Sequence, residues 1–449
     1  MSPAHLDAAI VGGGVSGSAL AVALAAQAAP TFRAVLFDPC DPGPGVAYAP
    51  QSASLLLNGP VRAMSPVPGD ERHLQRYLVD EPEDALICRS RYGAYMRSTV
   101  AHALSSHAGF AHERDEVVSV EPSDGAYRLR TRRGRAFTAS SVVLALGNFA
   151  PADGSLPETL RSFSGYVRDP WSVDVSAFDE GDVVLVGSRL TAMDVVALLD
   201  ECAHRGRVIV TSRHGLVPFV EDPRVRGLQL GALDLDTSSP RSLVRTMRRA
   251  AREAGVDWRA VAETIRPVTP AIWAAWTLRE RKQFLRHVQS MWAIHRYRVP
   301  PATYAAYERA LRSGKLSVHR GRIASARVSG STVALELQHG EQAQTVRASY
   351  VVNCTGPGSD IRSVDRPLVR QMLADGLIRP DALHLGLDAD ARLRVRSRGG
   401  TPAASIYAMG PLLRGLWYET TAIPEIRSHA SVIAAAILAS ARAKLHSAS

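Results

Sequence analysis

Lysine is almost absent from this chain: its basic residues are nearly all arginine, and lysine occurs only at Lys282, Lys315 and Lys444. The formal net charge is nevertheless +10 over 449 residues. The arginines are spread along the chain and no DNA- or RNA-binding motif accompanies them, so we expect no nucleic-acid partner. An excess of positive charge also suits anionic cofactors and acidic small-molecule substrates.

Cysteine and long apolar runs are scarce as well. The four cysteines, Cys40, Cys88, Cys202 and Cys354, form no C-x-x-C pair and have no metal-ligand spacing, which argues against disulfide exchange and zinc binding. We expect them to be small buried residues in a reducing compartment. No apolar run reaches the roughly 18 residues of a membrane span, and the alanine-rich stretch 8–30 lacks the basic start of a signal peptide. These absences predict a cytoplasmic protein with no metal and no membrane partner.

The N-terminal sequence DAAIVGGGVSG is typical of a dinucleotide-binding turn. An apolar strand over residues 8–11 enters the glycines, an alanine-rich helix follows, and a second strand ends at Asp38. Gly12 would permit the tight turn, Gly14 the approach of a pyrophosphate, and Gly17 the close packing of helix and strand. The helix N-terminus favours phosphate, and Asp38 stands where an acidic residue takes a ribose hydroxyl.

Three later strands also run into a glycine. A meander that begins near residue 115 ends at Gly147, a second apolar strand precedes Gly356, and a late strand meets Gly410 before a long helix near Pro424. Between them, the sequence changes to amphipathic helical patterns with apolar residues three and four apart. The chain is thus predicted to leave a dinucleotide-binding domain and return to it, with a helical insertion in between.

Six stretches spread over nearly the whole chain carry a resemblance to a known family. They are GPGVAYAPQSASLLLNGPVRAMS (43–65), SRYGAYMR (90–97), VGSRLTAMD (186–194), SRHGLVP (212–218), FLRHVQSMWAIHRYR (284–298) and GPLLRGLWYETTAIPEIR (410–427). The chain resembles the bacterial FAD/NAD(P)-binding flavoproteins with the glutathione-reductase-like nucleotide fold. More narrowly, it is similar to a branch that includes flavin N-hydroxylating monooxygenases, such as those that oxidise the amine of aspartate.

The resemblance implies an α/β fold with two dinucleotide-binding (Rossmann-like, three-layer ββα) domains and an inserted α-helical cap. The expected segments are residues 1–165 for the first part of the FAD-binding domain, 166–220 for the NAD(P)-binding segment, 221–330 for the cap, and 331–449 for the return and the C-terminal FAD-binding part. The implied cofactors are FAD and NADPH.

The glycine motifs and the resemblance together indicate residues for cofactor binding. They are Gly12, Gly14, Gly17, Asp38, Asn58, Met64, Ser65, Arg91, Val118, Gly147, Gly187, Arg189, Thr191, Arg213, Gly356, Gly410 and Thr421.

For some of these residues a structural role is the alternative. In the resembling proteins the stretch that matches 43–65 runs beside the flavin, so Asn58 and Ser65 could bond to it and Met64 could pack on it; internal turn bonds are the other possibility. Arg91 could pair with the diphosphate or be solvated at a helix start. Thr420 or Thr421 would cap the final helix, with Pro424 in its first turn.

The second turn, VVLVGSRLTAMD, departs from the pattern. Gly187 and Ala192 keep the first and last small residues, but Arg189 holds the central position. Its Cβ would keep the backbone away from a pyrophosphate, although its guanidinium could pair with one. The next strand ends in Ser212-Arg213-His214 and not in an acid, which favours the 2′-phosphate of NADPH. A working NADPH site and a vestigial one both remain open.

One helical face of the predicted cap carries Trp292, His295 and Arg296, with Arg298 near its end. It could bind a substrate carboxylate, or it could be a packing surface with solvated basic residues. Glu419 could face the substrate pocket or form an ion pair with Arg414. No residue is predicted as a catalytic base.

The main hypothesis is an FAD-dependent, NADPH-using monooxygenase that N-hydroxylates a small amine or amino-acid-like substrate. One alternative is a flavin oxidase or dehydrogenase that takes hydride directly from its substrate. The other is a non-catalytic, FAD-bound protein that binds a partner through its cap.

Overall fold

The structure is a computed structural model, and it describes residues 5–49, 52–154, 156–172, 174–226 and 233–448. The chain forms two compact units. The first contains residues 1–51, 59–149 and 359–449, and the second contains residues 52–58 and 150–358.

The strands, in chain order, are β1 (His5–Val11), β2 (Ala34–Phe37), β3 (Phe110–Glu113), β4 (Val117–Ser123), β5 (Ala126–Thr131), β6 (Ala136–Leu144), β7 (Tyr166–Val167), β8 (Val183–Val186), β9 (Val208–Ser212), β10 (Leu316–Arg320), β11 (Arg322–Ser329), β12 (Thr332–His339), β13 (Gln342–Ala348), β14 (Tyr350–Asn353), β15 (Arg394–Arg396) and β16 (Pro402–Ala408).

The helices are α1 (Val15–Ala25), α2 (Gly45–Tyr48), α3 (His73–Tyr77), α4 (Arg89–Ser105), α5 (Leu190–Glu201), α6 (Pro223–Arg226), α7 (Pro240–Glu253), α8 (Trp258–Thr264), α9 (Thr269–Ala275), α10 (Leu278–Gln283), α11 (Gln289–Arg296), α12 (Pro301–Arg312), α13 (Pro367–Ala374), α14 (Arg414–Trp417) and α15 (Ile423–Ala448). A π-helix over Phe284–Val288 joins α10 to α11.

The first unit is built on a sheet with the order β15-β16-β6-β1-β2-β3. The strands from β16 to β3 are parallel, while β15 is antiparallel to β16 and the β4–β5 hairpin is antiparallel to β6. The middle of β1 is fully buried, as expected for a parallel strand covered on both faces. Helix α1 packs against α4 and α15.

The second unit has a parallel five-stranded sheet with the order β10-β9-β8-β14-β7, and a separate antiparallel meander of β11, β12 and β13. Strand β8 is buried along its whole length, and α5 packs against α12 beside the sheet. Both parallel sheets have helices between successive strands, so the predicted α/β, two-dinucleotide fold is confirmed.

The unit boundaries differ from the predicted segments. The sequence places changes at 165/166 and 330/331, whereas the structure divides the chain near 149/150 and 358/359. The helical insertion ends with α12, because β10 returns to the parallel sheet beside β9. Pairing between strands that lie far apart in the sequence determines these boundaries, and local hydrophobic patterns do not show it.

Other expectations concern cysteines, metals and membranes. Cys354 is buried, but Cys40 and Cys202 are exposed, so the prediction of burial is wrong for those two. Among the described residues there is no cluster of three or more His, Cys, Asp or Glu that could hold a metal ion. The described part of the chain also contains no helix with the length and apolarity required to cross a bilayer.

Candidate dinucleotide sites

The turn after β1 brings three backbone segments close together. Gly12 has φ +107°, and a Cβ there would lie 2.3 Å from the carbonyl oxygen of Ala145. A Cβ on Gly17 would lie 1.9 Å from the carbonyl oxygen of Gly12. Both positions therefore require glycine for packing alone, before any ligand is considered.

Gly14 differs from these two glycines. Its backbone is extended (φ −65°, ψ −174°), and a Cβ there would meet only the Cα of Gly45, at an ordinary 3.6 Å. No side chain caps α1, which begins at the next residue, although its first turn is buried. The unsatisfied N–H groups and the space beside Gly14 fit a diphosphate, which is the group that FAD would place there.

Asp38 follows β2 and bonds directly to this turn. Its Oδ2 accepts from the backbone N–H of Gly13 at 2.6 Å, and its Oδ1 accepts from the N–H of Cys40 at 2.8 Å. A carboxylate has about four lone-pair positions, so capacity remains for a ribose hydroxyl.

The segment 59–65 is held mainly by bonds within the first unit. Ser65 is fully buried, and its hydroxyl donates to the carbonyl oxygen of Asp70 at 2.5 Å. The carbonyl oxygen of Met64 accepts from the hydroxyl of Tyr92 at 2.9 Å. These contacts favour the internal-turn interpretation for Ser65. Asn58 is exposed at a bend in the second unit.

Arg91 is exposed on α4 and forms an ion pair with Glu81. This arrangement matches the solvated alternative for Arg91 and gives no support to a role at the diphosphate. Tyr92, the next residue, is fully buried against Tyr48 and Tyr95 and belongs to the core.

Backbone irregularities mark three further predicted positions. The register of β4 shifts between Val117 and Ser119, which places Val118 at a bulge where its backbone leaves the regular ladder. Gly147 (φ +66°) follows β6 and Gly356 (φ +95°) follows β14, and a Cβ on either glycine would meet nothing within 4 Å.

The C-terminal turn of the first unit packs on α1. Gly410 has φ +67°, and a Cβ there would lie 2.6 Å from the hydroxyl oxygen of Ser16. Its N–H donates to Nδ1 of His429 at 3.3 Å, and the ring of His429 lies 5.0 Å from that of Trp417. Burial lowers the pKa of His429 to about 4. The imidazole is therefore a neutral acceptor at physiological pH.

The segment between α14 and α15 contains a strained turn. Tyr418 has φ +58° and ψ −54°, and the N–H of Glu419 donates to the carbonyl oxygen of Trp417 at 2.6 Å. This is the geometry of a γ-turn that non-glycine residues rarely adopt. Glu419 is buried.

The predicted cap of the final helix is not formed by Thr420. Helix α15 begins at Ile423 with Pro424 in its first turn, as predicted. The hydroxyl of Thr420 is fully buried and has no hydrogen-bond partner, while Thr421 is exposed two residues before the helix. A buried orphan hydroxyl beside a strained turn is typical of a ligand-contacting segment.

The turn after β8 repeats the turn after β1. Gly187 has φ +114°, and a Cβ there would lie 2.3 Å from the carbonyl oxygen of Cys354. Its N–H donates to the carbonyl oxygen of Thr211 at 2.8 Å, as the N–H of Gly12 does to Phe37 at 2.9 Å. These matching bonds make the two turns structurally equivalent.

Arg189 occupies the place of Gly14 and has the same type of backbone. Its conformation is extended (φ −96°, ψ −162°), it directly precedes α5, and no side chain caps that helix. Ala192 is fully buried at the place of Gly17, and Thr191 is half-buried in the first turn. The absence of a central glycine has not distorted the turn, because the conformation suits any residue.

Ser212 occupies the place of Asp38, at the strand end where the sequence already showed no acid; it was not among the predicted cofactor-binding residues. It follows Thr211 as Asp38 follows Phe37, and Ser188, which matches Gly13, donates its hydroxyl to that of Ser212 at 2.8 Å. The hydrogen bonds to the two glycine turns establish the match residue by residue. Arg213, the next residue, is exposed.

The predicted substrate face of α11 is divided between core and surface. Trp292 is buried against Phe284, with 6.3 Å between ring centroids. His295 is half-buried between Trp258 and Phe219, its Nδ1 lies 2.8 Å from the carbonyl oxygen of Met291, and burial lowers its pKa. Trp292 therefore packs in the core, but its indole N–H is buried without a hydrogen-bond partner, so its predicted substrate role stays a prediction.

Arg298 does not fit the role of a substrate receptor. Its side chain is buried, and its guanidinium lies 2.6 Å from Glu221 and 2.7 Å from Glu263. Burial would raise the pKa of Glu263, but Arg296, Arg298 and a third arginine hold it below its usual value. Two carboxylates already neutralise Arg298, which disfavours a role in binding a substrate carboxylate, although its Nη1 is buried without a hydrogen-bond partner.

Comparisons with known proteins agree with this geometry. Residues 9–149 match a family model described as FAD-NAD(P)-binding. No curated protein matches the chain significantly. Among solved structures of similar fold is the reduced form of ornithine hydroxylase from Pseudomonas aeruginosa, with a TM-score of 0.65 and 16% identity over 97% of this chain and 99% of that one.

Two further hydroxylases are similar over almost their whole length. The ornithine N-hydroxylase of Kutzneria sp. 744, solved with reduced FAD, NADP+ and L-ornithine, has a TM-score of 0.64 and 14% identity, with 97% and 99% of the two chains covered. L-lysine 6-monooxygenase of Pseudomonas syringae has a TM-score of 0.66 and 16% identity, with 96% and 99% covered. Identities this low establish the fold. Residues 9–149 match the model of an FAD-NAD(P)-binding domain, and the chain as a whole has the same fold as these solved flavoproteins.

Proposed function

We propose that this protein is an FAD-dependent, NADPH-using monooxygenase that N-hydroxylates a small amine or amino-acid-like substrate. The observation that carries the proposal is the pair of equivalent turns at Gly12 and Gly187, each leading into an uncapped helix. The similarity in fold to ornithine and lysine hydroxylases supports the class of reaction.

The two turns would hold different nucleotides. The N-terminus of α1 and Asp38 would bind the diphosphate and ribose of FAD, and the turn at Gly187 would bind NADPH. Bound FAD would supply the redox chemistry, accepting hydride from NADPH and, once reduced, reacting with dioxygen. The strained turn at Tyr418 and the buried hydroxyl of Thr420 would shape a site from which water is excluded.

The contacts of Trp292 and Arg298 in the cap bear on whether the substrate carries a carboxylate. Since Trp292 is in the core and Arg298 is neutralised by carboxylates, the proposal concerns the amine and does not require a substrate carboxylate. The geometry at Arg189 also weakens the main support for an oxidase with a vestigial NADPH site, because the turn keeps its backbone conformation.

The test is an anaerobic titration of the FAD-bound protein with NADPH, followed by the admission of oxygen in the presence of small diamines and amino acids. We expect NADPH to bleach the flavin, and one amine to yield a hydroxylamine in proportion to NADPH consumed. Flavin that stays oxidised in excess NADPH would contradict the nucleotide assignment. Formation of hydrogen peroxide alone, with every amine tried, would contradict the hydroxylation.

A further inference from the structure

We propose that Arg320, at the end of β10, forms with Arg213 a two-arginine site for the 2′-phosphate of NADPH. The inference rests on the proposed function, because it concerns the selectivity of the same nucleotide site. It adds Arg320 on strand β10, whereas the sequence pattern indicated only the turn at Gly187 and the end of strand β9.

The first argument is the chemistry at the strand end. Ser212 stands where the first unit has Asp38, so a neutral hydroxyl replaces a carboxylate. A carboxylate at this position would repel a phosphate dianion and would suit a bare ribose. The substitution therefore removes the group that would oppose a 2′-phosphate.

The second argument is the position of Arg320. Strand β10 pairs in parallel with β9 to its last residue, with Arg320 opposite Ser212, and the N–H of Gly321 donates to the carbonyl oxygen of Ser212 at 2.9 Å. Gly215 has φ +63°, and a Cβ there would lie 3.3 Å from the Cβ of Arg320. The loop that carries Arg213 thus folds against Arg320.

The third argument is charge. Arg213 and Arg320 are both exposed, and among the described residues neither has a carboxylate within ion-pair distance. Two other arginines of this unit are ion-paired by contrast: Arg207 with Asp182 and Arg309 with Asp200. Two guanidinium groups, one carried by this loop and one by the strand against which the loop folds, match the charge of a phosphate dianion, and each can donate two bonds to it.

The experiment measures the binding of adenosine 2′,5′-bisphosphate and of 5′-AMP to the FAD-bound protein by titration calorimetry. These probes differ only in the 2′-phosphate and require no flavin reduction. We expect the wild-type protein to bind the bisphosphate at least tenfold more tightly than 5′-AMP. Arg320→Ser should weaken bisphosphate binding roughly tenfold, as loss of one charged hydrogen-bonding group does, and leave 5′-AMP binding unchanged. Arg213→Ser should have a similar effect.

The matched control is Arg322→Ser, since Arg322 is a nearby arginine whose guanidinium bonds to Gln338 at 3.0 Å. If Arg320→Ser behaves like this control while Arg213→Ser weakens the bisphosphate, the role of Arg320 is overturned and the NADPH site survives. If the wild-type protein does not distinguish the two probes, the assignment of NADPH itself fails.

Discussion

The two glycine turns have the same backbone and different chemistry. At Gly12 and Gly187, a crossing carbonyl lies too close for any Cβ, and each of these glycines donates its N–H to a carbonyl oxygen of the following strand. The differences that bear on a nucleotide include Gly14 against Arg189 and Asp38 against Ser212. Glycine at the first and last positions of this motif serves packing, whereas glycine at the central position serves the ligand. A missing central glycine is therefore evidence about the ligand and not about the fold.

The largest effect on cofactor binding should come from replacing the first glycine of either turn by alanine. Gly12→Ala should lose most of its FAD during purification, because the new Cβ would lie 2.3 Å from a carbonyl oxygen. Gly187→Ala should retain FAD but lose roughly a hundredfold in the rate of flavin reduction by NADPH, since displacements near 1 Å have effects of that size. Flavin absorbance and anaerobic stopped-flow measurements would show both effects.

The control for this pair is Gly154→Ala, because a Cβ at Gly154 would meet nothing within 4 Å. It should behave as the wild type in both measurements. If Gly187→Ala folded and accepted hydride from NADPH at the wild-type rate, the proposed equivalence of the two turns would be wrong.

An aspartate at position 212 would make the surroundings of the turn at Gly187 resemble those of the turn at Gly12. Ser212→Asp should reduce the preference for NADPH over NADH roughly a hundredfold, because a carboxylate beside a phosphate costs several kcal/mol. The measured quantity is the ratio of kcat/KM for flavin reduction by the two nucleotides. Ser212→Asn, which is similar in shape and uncharged, is the control. Equal ratios for the Asp and Asn variants would show that charge at this position does not select the nucleotide.

The turn at Gly410, which also belongs to the first unit, contains a pH-dependent contact with His429. Folding lowers the pKa of His429 from 6.5 to about 4, so the unfolded chain takes up a proton that the folded chain refuses between those values. Stability from this group is complete above about pH 6.5 and falls as the pH decreases towards 4. Between pH 7.5 and 5, the wild type should lose about 2 kcal/mol more unfolding free energy than His429→Asn.

The asparagine can still accept from the N–H of Gly410, which the imidazole now does at 3.3 Å. Denaturant titrations of the two proteins at both pH values provide the measurement. Parallel pH profiles would show that His429 is not buried as the structure has it.

The smallest expected effect concerns Arg189 itself. Arg189→Ala should weaken NADPH binding roughly tenfold through loss of a charged contact, and should leave the conformation of the turn unchanged, because the extended backbone suits either residue. Equilibrium titration with NADPH provides the value, and FAD content serves as the control. Tighter binding by the variant would mean that the arginine side chain obstructs the nucleotide.

Local patterns in the sequence were sufficient for the strands and the glycine turns. The apolar run before Gly187 and the switch to helical spacing after it need no distant partner to be recognised. The same holds for the final helix, whose first turn contains Pro424.

Contacts between distant parts of the sequence were not predictable in the same way. Arg298 has the residue type and the neighbourhood of a substrate receptor, but Glu221 and Glu263 neutralise it in the folded chain. For Ser65 the sequence left a bond to the flavin and an internal turn bond both open, and in the structure its hydroxyl closes an internal turn with Asp70. In each case the sequence identified a chemical group correctly but not the group that satisfies it.

Tyr418 has a further consequence for experiments that select variants. Its backbone conformation is one that glycine adopts without strain, but its side chain is buried, so Tyr418→Gly would relieve the turn and leave the volume of the ring empty. The cavity costs more than the strain, so a library screened for heat resistance would keep a large side chain at this position. A library screened for turnover would retain tyrosine if the ring contacts the substrate or cofactor. The two selections would separate a ring that only fills space from one that serves catalysis.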